Sequence, residues 1–136
     1  MKEIKGNQTV YLEEYDVTVN KYLTYAQIQQ IANAVVAAST NDSDDTWANR
    51  QTNIDMLVLY HATDIGKEKL EEIGHDALLT SGLIDAVRYR IENIYSVNDA
   101  IDYIENNQRA INKLLKSLPK ILEETKGLQD LMKKHG

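Results

Sequence analysis

Cysteine and phenylalanine are both absent from this chain of 136 residues, proline occurs once, at position 119, and there are only six glycines. Without cysteine there is no thiolate chemistry, no Cys-based zinc site and no disulfide-built secreted scaffold, and a chain of this length buries a core without such staples. Long apolar runs are missing too. The longest, residues 34 to 38, is far short of the roughly 20 residues that span a bilayer. The opening Met-Lys-Glu-Ile-Lys carries no apolar h-region, so the expectation is a soluble intracellular protein with no membrane partner.

Basic residues are in deficit, 15 against 21 acidic, for a formal net charge of −6. Such a balance repels a phosphate backbone unless the basic groups gather on one face. They do not gather: Arg88 and Arg90 flank Tyr89, Lys113, Lys116 and Lys120 mark one helical edge, and Lys133 and Lys134 fall near the end. Nucleic acid is therefore not an expected partner. Eight tyrosines stand against no phenylalanine, which predicts an aliphatic core with aromatic rings at its wet margin, since a buried phenol needs a hydrogen-bond partner.

Residues 1 to 22 read as a β-hairpin, with strands at 9 to 12 and 15 to 19 where β-branched and aromatic residues nearly alternate. Residues 2 to 4 offer a third strand across Gly6-Asn7. Residues 24 to 125 read as a helical body. Thr24 and Gln27 make a capping box, with Leu23 and Ile28 as its hydrophobic staple. Ile28, Ile31, Ala32, Val35 and Val36 continue one helical stripe until the loop chemistry of residues 39 to 45. Asp45 or Thr46 caps the next helix, whose inner face is Trp47, Ile54, Leu57, Val58 and His61. Gly66, Gly74 and Gly82 punctuate short helical pieces, and Ser81 can cap another over 83 to 91.

Ser96 with Asp99 opens a longer helix carrying Val97, Ile101, Ile104, Gln108, Ile111, Leu115, Leu118 and Leu122 at alternating spacings of four and three. That is a heptad seam with one polar interruption, and it wants another helix along it, from this chain or from a second copy. Pro119 ends or bends the helix, and residues 126 to 136 read as a frayed tail. The expected architecture is one mainly α domain over 1 to 136, with an N-terminal β-hairpin and a long C-terminal helix bent near Pro119.

Catalytic and metal patterns fail one by one. Asp42, Asp44 and Asp45 suggest the start of a calcium loop, but Trp47 stands where its glycine belongs and Asn53 where its bidentate glutamate belongs. They read as a solvated loop at a helix N-terminus. Glu72 and His75 form one Glu-x-x-His spacing, and a di-iron bundle needs two. His61 near Asp64 reads as a packed histidine bonded to a neighbouring carboxylate, and His135 belongs to the tail. Gly-x-Ser-x-Gly is absent, and the glycines stand too far apart to cradle a phosphate. No cofactor, metal or catalytic residue is expected.

Residues 17 to 31, VTVNKYLTYAQIQQI, and 79 to 87, LTSGLIDAV, resemble small proteins encoded among the structural genes of tailed bacteriophages, some of them tail assembly chaperones that hold the tape-measure protein. The resemblance implies a morphogenesis role in the host cytoplasm or the virion, phage structural proteins as partners, and no functional residue by itself. From the residues, the expected contact set is Tyr11, Tyr15, Tyr22 and Tyr25 near the hairpin and Tyr103, Gln108 and Ile111 on the long helix, with self-association as a further use of the seam. A phage-encoded inhibitor whose acidic face occupies the basic groove of a host nucleic-acid or defence enzyme is the second reading. It requires Asp42, Asp44, Asp45, Glu68, Glu71 and Glu72 on one side.

Overall fold

The structure, a computed structural model, describes residues 1–41 and 46–135. Among these residues two strands, β1 (Thr9–Leu12) and β2 (Val17–Asn20), precede six helices: α1 (Tyr25–Asn41), α2 (Trp47–Ala62), α3 (Lys67–Ile73), α4 (His75–Thr80), α5 (Leu83–Arg90) and α6 (Tyr95–His135). The architecture is mainly α with an N-terminal hairpin and a long C-terminal helix, bent, that carries Pro119 inside it. The chain divides into two units, Met1–Asp102 and Tyr103–Gly136, with the boundary inside α6.

Local chemistry accounts for the element ends. The Thr24 hydroxyl accepts from Gln27 N at 3.1 Å while Gln27 Oε1 accepts from Thr24 N at 2.9 Å, the reciprocal capping box. Its staple residues, Leu23 and Ile28, are both buried. Thr46 caps α2 by accepting from Asn49 N at 3.1 Å. Gly66, Gly74 and Gly82 all adopt positive φ at the breaks between α2 and α5, a backbone region costly for any side chain.

The hairpin departs from expectation at the start of its second strand. β1 and β2 pair antiparallel, Val10 opposite Val19 and Leu12 opposite Val17. Asp16 sits in the left-handed region at φ 52, which an aspartate side chain tolerates better than most. The turn therefore takes in Tyr15, and β2 starts two residues later than the alternation suggested. No third strand forms: residues 1–8 belong to no regular element. Val17, Val19 and Leu12 face the core, while β2's far edge is covered by a bridge from Val19 to Thr63.

The core of the first unit runs from Val19 and Leu23 through Ile31 and Val35 of α1, Val58 and Leu59 of α2, Leu70, Leu78, Ile84 and Val87, to Val97 and Ile101 at the start of α6. It is aliphatic throughout, and seven of the eight tyrosines are exposed. Trp47 does not join the inner face of α2. At 78% exposed it lies outside, because the buried side of that helix is set by Ile54, Asp55, Val58, Leu59 and Ala62.

Within the second unit α6 continues as helix to His135, where the sequence suggested a frayed tail. Adding residues to an established helix is far easier than starting one, and Leu, Lys, Gln and Met are good helix formers. Ser96 lies inside α6 rather than at its cap, since the helix begins at Tyr95.

Candidate protein-contact surfaces

Of the expected contact residues, the structure brings Tyr11 and Tyr15 to one groove beside the hairpin. That cleft, about 560 Å³, is lined also by Asp85, Tyr89 and Arg90 of α5. The Tyr11 hydroxyl donates to Asp16 Oδ1 at 2.5 Å, and this bond to the carboxylate raises the phenol above the usual tyrosine range. Tyr15 plays a structural part. It is half-buried, donates to the Ser81 carbonyl at 2.8 Å, and lies so near Gly82 that a Cβ there would stand 3.0 Å from its hydroxyl. Tyr89 is 84% exposed with the Arg90 guanidinium 5.8 Å from its ring centre. It is absent from the contact set expected from the sequence, although a tyrosine between two arginines carries the signal of an exposed contact residue.

Tyr22 and Tyr25 are exposed at the entrance to α1, and Tyr103, Gln108 and Ile111 are exposed on α6. The seam thus changes character along its length. Val97 and Ile101 are buried and Ile104 is half-buried, whereas Ile111, Leu114, Leu115, Leu118 and Leu122 are 41 to 61% exposed. A contiguous apolar stripe of that kind on a water-facing helix is the ordinary mark of a protein interface.

A third arrangement was not foreseen. Asp55, 8% exposed on the inner face of α2, accepts from Arg88 Nη1 of α5 at 3.1 Å and lies 2.9 Å from His75 Nε2 at the start of α4. One carboxylate thereby ties three helices, using both its oxygens. Among the described residues no hydroxyl nucleophile hydrogen-bonds to this histidine, and the geometry is that of an internal clamp. Among the described residues no group of His, Asp and Glu is placed to hold a metal ion. Glu72 is exposed, and His75 turns to Asp55 instead.

His61 also has a different neighbour from the one expected. Asp64 faces the hairpin, exchanging bonds with Thr18 (Thr18 N to Asp64 Oδ1 3.0 Å, Asp64 N to Thr18 O 3.3 Å), and the His61 ring stands edge-on to Tyr60 at 5.0 Å. Burial lowers the imidazole's pKa below its usual value. The unfolded chain therefore binds the proton first as pH falls below about 6.5, and stability declines from there until the native imidazole also protonates. His61→Gln should flatten that part of the slope, read as a smaller difference between urea midpoints at about pH 7.5 and about pH 5.5.

Asp42, Asp44 and Asp45 lie outside the described residues. Glu68, Glu71 and Glu72 are exposed on α3, with Lys67 4.0 Å from Glu71. Among the described residues no helix is long and apolar enough to cross a membrane. Comparison with family models, with characterised proteins and with solved structures finds no match to this chain.

Proposed function

We propose that this chain is a non-enzymatic contact protein of tailed-phage morphogenesis, a tail assembly chaperone or minor virion component, working in the bacterial cytoplasm or in the particle. The observation that carries the protein-contact part is the apolar stripe from Ile111 to Leu122, exposed along the second unit. The assembly setting comes from the resemblance of residues 17 to 31 and 79 to 87. An amphipathic helix with its apolar side open lays that side against a groove or another helix, and so holds hydrophobic surface of a partner until assembly covers it. The saturated Asp55 clamp supports the non-enzymatic reading, because its carboxylate is spent on helix-to-helix bonds.

The test is capture from lysate of phage-infected bacteria with the tagged chain as bait, beside a Leu115→Glu, Leu118→Glu bait. Recovery of head or tail proteins by the first and their loss with the second is the expected result. Recovery of a host nucleic-acid enzyme without virion proteins would replace this reading with the inhibitor.

A further inference from the structure

We propose that the stripe on the second unit is covered by the same stripe of a second copy, the two α6 helices running antiparallel; this rests on the reading of the stripe as a protein interface. Knobs-into-holes pairing of antiparallel helices sets a positions of one chain against d positions of the other. One register matches like with like. Ile111 meets Leu122 of the second copy, Leu115 meets Leu118, and Leu114 broadens the apolar face on one flank. Sliding by one heptad in one direction sets Gln108 against Leu118, and in the other direction sets Ile111 and Leu115 against polar residues. The matched register is therefore the only one of the three with an unbroken apolar centre.

Charge supports the same choice. On the flank opposite Leu114, this register brings Arg109 level with Glu123 of the second copy and Glu105 level with Lys126, each pair occurring twice by symmetry. A parallel pair gains neither, since positions 107, 114 and 121, which would face its partner's flank, carry no charge. The same register sets Lys116 level with Lys116 of the second copy, a like-charge pair on the flank that Arg109 and Glu123 occupy. An isologous pairing of that kind is closed and stops at two chains.

The absence of cysteine makes the test clean. The purified chain should sediment at a mass near twice 15.5 kDa, and Leu115→Glu with Leu118→Glu should return it to monomer while far-ultraviolet dichroism keeps the helical signal of the first unit. The chain with Ile111→Cys and Leu122→Cys together should oxidise to a covalent dimer. Ile111→Cys alone should not, because its sulfurs would lie about 16 Å apart along the pair. Arg109→Glu should weaken the dimer at least several-fold, and adding Glu123→Arg should restore it. A wild-type monomer at all accessible concentrations, or ready oxidation of the single Ile111→Cys chain, overturns the proposal. A monomer whose stripe still captures virion proteins leaves the assembly function standing, and a dimer that captures none leaves only the pairing.

Discussion

Asp55→Ala should lower the unfolding free energy of the first unit by about 2–3 kcal/mol, the largest loss expected from any charged residue described in this chain. Removing the carboxylate leaves the Arg88 guanidinium and the His75 ring facing each other across an emptied, largely water-excluded space. The figure falls below the usual range of about 3–5 kcal/mol for broken buried pairs because the Arg88 side chain is 30% exposed and regains some water. Substituting all three groups together, Asp55→Leu with His75→Phe and Arg88→Met, should recover most of the loss, since no charge is then stranded. Urea denaturation of the wild type and the two variants measures this directly. A triple variant as unstable as Asp55→Ala would mean that packing, not charge, carries the effect.

Ile101→Ala and Leu115→Ala occupy equivalent positions in the same seam and should behave very differently. Ile101 is 3% exposed, so its truncation leaves a cavity in the first unit and costs about 2–4 kcal/mol. Leu115 is 57% exposed, and its truncation should change unfolding of the first unit by less than about 0.5 kcal/mol. Its effect should appear instead in the concentration dependence of melting, as expected of a residue at an interface between chains. Thermal melts at two protein concentrations separate the outcomes. Equal losses for both variants would mean that the seam is packed within one chain along its whole length.

The contrast between these two residues marks what periodicity can and cannot reveal. Spacing alone places Ile101 and Leu115 on one side of α6, but burial requires a second surface, and no residue of the seam says where that surface stops. The capping box at Thr24 and the helix breaks at Gly66, Gly74 and Gly82 were legible because each is decided within a few residues. Asp55 was not, as its partners come from 20 and 33 positions further along the chain. In isolation it looks like a solvent-facing residue between Ile54 and Val58. Trp47 misled for the opposite reason. It fits the stripe by spacing, but it stands at the first residue of α2, past the reach of the core. Of the tyrosines, exposure was legible from composition, whereas the role of Tyr15 as a strut to Ser81 depended on a turn set by the left-handed Asp16.

The hairpin and the turn after it cannot be completed until chain far downstream has been made. Its backbone is sewn to residues far downstream: Glu92 N donates to Lys21 O at 2.7 Å, and the Asn93 amide bonds both Leu23 N and Leu23 O at 2.9 Å. Two strands of four residues do not hold together alone in water. At ordinary synthesis rates, the seventy residues from Leu23 to Asn93 take roughly 4–14 s to make. For that interval Val17, Val19 and Leu23 are without their final cover, so the nascent chain carries an adhesive β-prone segment. The acidic residues Glu13, Glu14 and Asp16 in the middle of that segment are well placed as gatekeepers during the wait.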